Sequence, residues 1–252
     1  MLQAPQRTAL SGPTLIRVLA RLTDHDVTES SQSLSDRLSQ WLGWTDAIGL
    51  STALSGHLPG GHPSAVSVGA PANGHAEEAE CTRVRTSLTN AIVGDSTFAA
   101  TRRRASAQAP APDAAADTAV DYAVFRQRYL SIQQTMETAI GNLRGRLRTT
   151  LAARTPAMAR LAVVDAVMER ALSAPEHNLL ATVPGMLAGH FERLRGAERA
   201  TLAAAEAASE VAGVRSGAWL DVFRKDMQSV LLAELDLRFQ PVEGLLAAVL
   251  TR

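Results

Sequence analysis

The sequence predicts an all-α protein: a helical bundle around one long amphipathic helix at about 117–153, with a small N-terminal helical unit and flexible linkers. Three observations carry this. Between Asp117 and Leu151 the large apolar residues Tyr122, Phe125, Tyr129, Ile132, Met136, Ile140, Leu143, Leu147 and Leu151 recur at gaps of three and four, the period of a helix with one buried stripe. Hydrophobic residues make up 46% of the chain but aromatics only 4%, so burial rests on alanine and leucine, both helix formers. No run of alternating β-branched and aromatic residues bounded by turns is present to make a strand.

Residues 1–55 read as an N-terminal helical unit. Ser11 caps a first helix, with Pro13 in its first turn and Leu15, Ile16, Val18, Leu19 and Leu22 on one side. A second helix carries Leu34, Leu38, Trp41 and Leu42 inward and ends at Gly43; Thr45 caps a short third with Ile48 and Leu54. Trp41 and Trp44 then give the unit a core. Residues 56–75 are a flexible linker crowded with glycine and proline. Residues 76–104 are a helical segment with the stripe Cys81, Val84, Leu88 and Ile92, weakened in its middle by Gly94, Asp95 and Ser96. An Ala/Pro linker, 105–116, leads to a C-terminal helical bundle at 117–252.

Within that bundle Thr155 caps a helix with Pro156 at its first position and Leu161, Val164, Met168 and Leu172 inward. Pro175 and Pro184 punctuate the next region, and a helix restarts near Val183. A last long helix carries Trp219, Phe223, Met227, Val230 and Leu231 until Pro241 ends it and starts a short terminal helix. The stripe of the long helix averages nearer 3.6 than 3.5, which favours a bundle over an extended coiled coil. Gly141 and Gly145 lie inside it, either as a weak point or to let a second helix approach closely.

Composition excludes more than it assigns. The formal net charge is 0, which removes any global bias toward nucleic acid or acidic lipid. No 20-residue apolar span is present, and the Leu15–Leu22 run is broken by Arg17 and Arg21 too early for a secretion signal, so a cytoplasmic protein is expected. Lys225 is the only lysine, which rules out a conventional phosphate-binding loop, and no serine sits in a nucleophile elbow. Cys81 lies on an apolar face and reads as buried and inert. His57, His62 and His75 read as solvated linker residues, and His177 and His190 as isolated surface or partly buried ones. No catalytic, cofactor-binding or metal-ligating residue is assigned.

Arginine clustering is the strongest signal outside the core. Arg144, Arg146, Arg148, Arg154 and Arg160 occupy a stretch between Glu137 and Asp165 with no acidic residue, and Arg102, Arg103 and Arg104 form a second run. Arg144, Arg148 and Arg102–Arg104 read first as solvated helix faces, and otherwise as candidates for holding an anion, an acidic protein partner, an anionic lipid or a nucleic acid. Recognisable nucleic-acid reader elements are missing, which makes that partner the less favoured one.

Three strings, TALSGPTLIRVLARLTD at 8–24, SDRLSQWLGWTDAIGLSTAL at 35–54 and QPVEGLLAAVL at 240–250, resemble an uncharacterised proteobacterial family of similar length. The resemblance implies no assigned activity; it implies a cytoplasmic accessory of an envelope complex. The leading expectation is a non-catalytic helical adaptor or assembly protein with a protein partner, or a homo-oligomer. Trp41, Trp44, Trp219 and Phe223 are where contact anchors are sought, against burial in the protein's own core. Anion binding through the arginines and an enzyme without a familiar motif are the alternatives.

Overall fold

The computed structural model describes residues 13–23, 32–55, 74–98, 120–207 and 217–251. Among these residues there is no strand, and eight helices carry the fold: α1 Thr14–Thr23, α2 Leu34–Trp41, α3 Trp44–Leu54, α4 Gly74–Val93, α5 Tyr122–Ala152, α6 Pro156–Leu180, α7 Val183–Ala207 and α8 Ala218–Leu250. The all-α class stands. The greater part of each expected linker, together with Arg102–Arg104, His57 and His62, lies outside the described residues, while Gly74 and His75 open α4.

The stripe of α5 is buried from Phe125 to Leu151, and Tyr122 packs at its edge. Asp121 opens the helix, its side chain accepting the Ala123 N–H at 2.9 Å, later than the expected start near 117. Thr155 and Pro156 start α6 as expected, with the Thr155 hydroxyl accepting from Met158 N. The inward face of α6 differs from the expected one: Ala162, Val167 and Ala171 are buried, whereas Leu161 is exposed. α6 is covered by α5 on one side and by α3 and α2 on another, and small residues suit that close two-sided contact.

Proline breaks less than the sequence suggests. α6 runs through Pro175 and α8 through Pro241. Pro241 is on the solvent side, so the Leu237 carbonyl it leaves free is not trapped in the core. Val242, Leu245 and Val249 beyond it are buried and hold the last turns in place. α8 is thus one 33-residue helix. It packs on α5, α4, α1 and α7, and is as central to the bundle as the long helix read from the sequence. Gly217, at φ 89°, makes the left-handed turn into α8 that a side chain would strain, and its N–H is taken by Glu198 at 2.7 Å.

The N-terminal helices are sheltered by the larger bundle. α1 lies on α8 and α7 and places Leu15 and Leu22 in the common core, while α2 and α3 lie on α6. α3 opens at Trp44 after Gly43, ahead of the expected Thr45 cap. α2 has no buried residue and α3 buries only Ala53, so the expected core around Trp41 and Trp44 does not form: Trp44 is 81% exposed.

Four helix C-termini are sealed by side chains from elsewhere in the bundle, three on other helices and one, Arg154, in the turn between α5 and α6. Arg193 donates to Leu22 O of α1, Gln228 to Ile92 O and Val93 O of α4, Gln133 to Leu180 O of α6, and Arg154 to Val249 O of α8. These carbonyls have no partner within their own helices, so each contact satisfies an otherwise bare acceptor and fixes one helix end to a neighbour.

Gly141 and Gly145 do not serve a close helix approach. A Cβ at Gly141 would meet nothing within 4 Å, and one at Gly145 only the end of Arg148 at 3.9 Å. Gly141→Ala is therefore expected to raise stability by about 1 kcal/mol through helix propensity alone. A higher urea midpoint at unchanged slope would agree; a lower midpoint would show that α5 needs the glycine.

Candidate functional site

α5, α6 and α8 line a half-open cleft of about 480 Å³, and Trp41 of α2 adds to its wall. Its apolar walls are Ile140, Met168, Leu172, Leu179, Leu237 and Trp41. Gly141 lies on the same wall as Ile140 and leaves that part of it open.

One end of the cleft rests on a buried polar network. Glu234 on α8 is fully buried and accepts from the Tyr129 hydroxyl at 2.5 Å, from Gln133 Nε2 at 2.9 Å and from Arg238 Nε at 2.9 Å. Arg238 then reaches out of the core, with Nη1 3.2 Å from Glu176 and 3.7 Å from Glu137 at the cleft's rim. Burial, and then the neighbouring Glu234 carboxylate, push the Tyr129 hydroxyl well above its ordinary range, so it is a fixed donor and not an acid. Sequence reading missed this network. Glu234 and Arg238 are four apart on one helix, a spacing that ordinarily signals a solvated surface pair.

The other end holds the arginines singled out from the sequence. Arg144 lies 2.7 Å from Asp165 and 3.3 Å from Glu169; Arg148 lies 3.0 Å from Asp165 and also contacts Glu169. Arg146, on another side of α5, pairs with Glu77 at 3.0 Å. Three of the five arginines in the stretch that looks purely basic in sequence, Arg144, Arg146 and Arg148, are neutralised by carboxylates of α6 and α4. Arg144 and Arg148 are thereby corrected as free anion ligands, because binding an anion there means displacing a carboxylate already in place.

Glu137, Glu176 and His177 approach one another at the cleft's mouth, His177 Nδ1 lying 3.5 Å from Glu137 Oε1. Arg238 Nη1 reaches both glutamates from one side, and no cluster of three metal-capable side chains occurs among the described residues. His190 is buried, with Nε2 2.9 Å from Asp226. Cys81 is buried as expected, and desolvation, then Glu77 and Glu80, push its thiol up to about 11, away from nucleophilic reactivity.

The candidate anchors separate cleanly. Phe223 and Trp219 are buried in an aromatic cluster, with Phe191 at 5.0 Å and 4.9 Å from them in edge-to-face contacts. Trp41 lines the cleft. Trp44 alone of the four faces solvent, and Ile48 and Leu54 on α3 and Leu34 on α2 are exposed as well. Asp46, the single ionisable residue of α3, turns inward to Arg170 of α6 at 2.7 Å. The outer face of α3 therefore carries no charge.

This all-helical chain, organised by internal ion pairs, belongs to a family whose members have no assigned role. It is a member of the family described as "Protein of unknown function (DUF3348)", whose model matches residues 1–251. No curated protein and no solved structure matches the chain.

Removing Arg238 would strand the buried Glu234 charge. Arg238→Met is expected to lower stability by about 3–5 kcal/mol, with part of the loss recovered by adding Glu234→Gln. Urea unfolding of the two single variants and the double variant reads the coupling; strictly additive losses would contradict the network.

Alkaline pH should also destabilise the fold. Burial pushes the Cys81 thiol up from its ordinary 9.0 to about 11, and the half-buried Tyr122 hydroxyl up from 10.0 to about 12. In each case the unfolded chain releases its proton first, so the stabilisation present below those ordinary values is lost as pH rises through the window. A midpoint that falls with rising pH, less steeply in Cys81→Ala at the lower end, is the expected result. A flat midpoint would refute it.

Proposed function

We propose that this protein is a non-catalytic helical adaptor that presents the outer face of α3 to an apolar groove of a partner protein. The observation that carries this is the exposed side of α3: Trp44 and Ile48, one turn apart and 81% and 49% exposed, and Leu54 near the helix end, 69% exposed, with no charged residue among them. Large apolar side chains left fully in water forgo about 1.5–3 kcal/mol each, and exposed large apolar residues without charges between them are what a contact surface uses. The absence of charge on it specifies an apolar partner surface.

The non-catalytic half of the reading rests on how the buried polar groups are used. Glu77, Asp95, Gln133, His190, Glu234 and Arg238 each bond to a neighbour inside the fold. A general base or nucleophile has to be available to substrate, and these are engaged in holding helices together. The finer reading, a cytoplasmic accessory of an envelope complex, comes from the resemblance of the terminal strings. No described helix is long and apolar enough to cross a membrane, so attachment to such a complex would run through a partner.

The test is a photoreactive residue placed at position 44 in the native cell, with position 124 on the exposed face of α5 as control. The expected result is a defined adduct with a different protein, mapped to an apolar surface of it, absent at 124 and lost when Ile48 and Leu54 are changed to serine. Identical adducts at both positions, or adducts only with a second copy of this chain, would overturn the proposal.

A further inference from the structure

We infer that the cleft between α5, α6 and α8 is a binding site for a small organic cation: a protonated amine or guanidine on an apolar body. This inference is independent of the α3 face. The volume of about 480 Å³ falls within the range of small-molecule sites, roughly 300–1,000 Å³. Its walls supply Ile140, Met168, Leu172, Leu179, Leu237 and Trp41 for the apolar body.

The sign of the ligand follows from counting charges end by end. At the α6 end, Arg144 and Arg148 face Asp165 and Glu169, two against two. At the α8 end, the single guanidinium of Arg238 faces Glu234, Glu176 and Glu137, one against three. Arg238 is held from behind by the buried Glu234, so it cannot give its whole charge to the rim. Glu176 and Glu137 are left 43% and 38% exposed at the cleft with surplus negative charge. His177, 3.5 Å from Glu137 and largely exposed, is the other ionisable group facing this rim. An ammonium or guanidinium group completes the rim; a carboxylate or phosphate is repelled by it.

Gly141 supplies a second, independent observation. It weakens α5 by about 1 kcal/mol relative to alanine, yet no helix packs where its side chain would be. It lines the cleft, and its missing side chain leaves open space there that a ligand's apolar body can use.

The experiment is calorimetric titration of the full chain with phenethylamine, 3-phenylpropionate and 2-phenylethanol, which share an apolar body and differ in charge. The amine is expected to saturate and to bind about tenfold or more tighter than the acid and the alcohol. The Glu137→Gln, Glu176→Gln double variant should remove that preference. Gly141→Leu, which fills the cleft from a helix-favouring position, should abolish binding at an unchanged or higher melting temperature. Equal binding of amine and acid, no saturation by the amine, or full binding by Gly141→Leu would each overturn the inference. Because Gly141→Leu leaves every charge intact, it remains decisive if the glutamine variant fails to fold.

Discussion

The burial of α8 on several sides is the constraint on which the rest of the structure depends. A helix contacted by α1, α4, α5 and α7 has no exposed residue between Asp226 and Leu235, so a charged residue in that stretch must find its partners inside. Glu234 finds three: Tyr129 and Gln133, four apart on α5, and Arg238, four ahead on α8. Donors spaced one turn apart on one helix meet an acceptor and its own i+4 cation on the other. One relative height of α5 and α8 satisfies all of them. A slide by a turn would leave a buried carboxylate bare, a far larger penalty than a shifted leucine contact, because apolar packing tolerates displacement and a buried charge does not. The network thus fixes register where the alanine- and leucine-rich surfaces alone would not.

From that register the cleft follows. α5 and α6 form an antiparallel hairpin about the turn at 153–155, and α8 lies against α5 at the height set by Glu234. The outward arm of Arg238 then meets Glu176 on α6 and Glu137 on α5, which ties the third helix to the other two across the opening. The side-chain seals at the C-termini of α1, α4, α6 and α8 act in the same sense: each places a donor from another helix or, for α8, from the α5–α6 turn on otherwise bare carbonyls. Few aromatic residues are available to key the helices together by shape. Polar contacts at helix ends and in the α5–α8 seam carry the positional information.

What was legible in the sequence follows from how many sides of each helix are covered. α5 is covered mainly along one stripe, so its apolar residues recur with the helical period and nine of them mark its course. α6 and α8 are covered on more than one side, and their periodicity is blurred. Pro175 and Pro241 then read as breaks, because a sequence does not tell whether the packing beyond a proline outweighs the lost hydrogen bond. In α8 the burial of Val242, Leu245 and Val249 does outweigh it. The site was illegible for a related reason. Glu234 with Arg238 has the spacing of an exposed pair, and burial of both is a property of the neighbours, not of the segment. The arginine pairs of α5 were closer to legible: Arg144 and Asp165 stand at matching distances before and after the Thr155 turn, as partners across an antiparallel hairpin must.

The near-exclusive use of arginine fits this pattern of cross-helix pairing. Arg238 reaches three carboxylates, Arg144 and Arg148 share Asp165 and Glu169, and Arg85 bridges Asp236 and Glu243. A planar fork with five donors can span two helices and hold carboxylates on both; the point charge of a lysine cannot hold that geometry. Pairs exposed to solvent add little stability individually, so their effect lies more in orientation than in strength. The zero net charge of the chain is therefore local cancellation and not an even spread of charge. Where cancellation is the rule, its exceptions carry information. The outer face of α3 has no charges to cancel, and the rim at Glu137 and Glu176 has more negative charge than Arg238 can offset. The first calls for an apolar surface and the second for a cation, and the two are separate because Asp46, the one acidic residue of α3, is already held by Arg170 on α6.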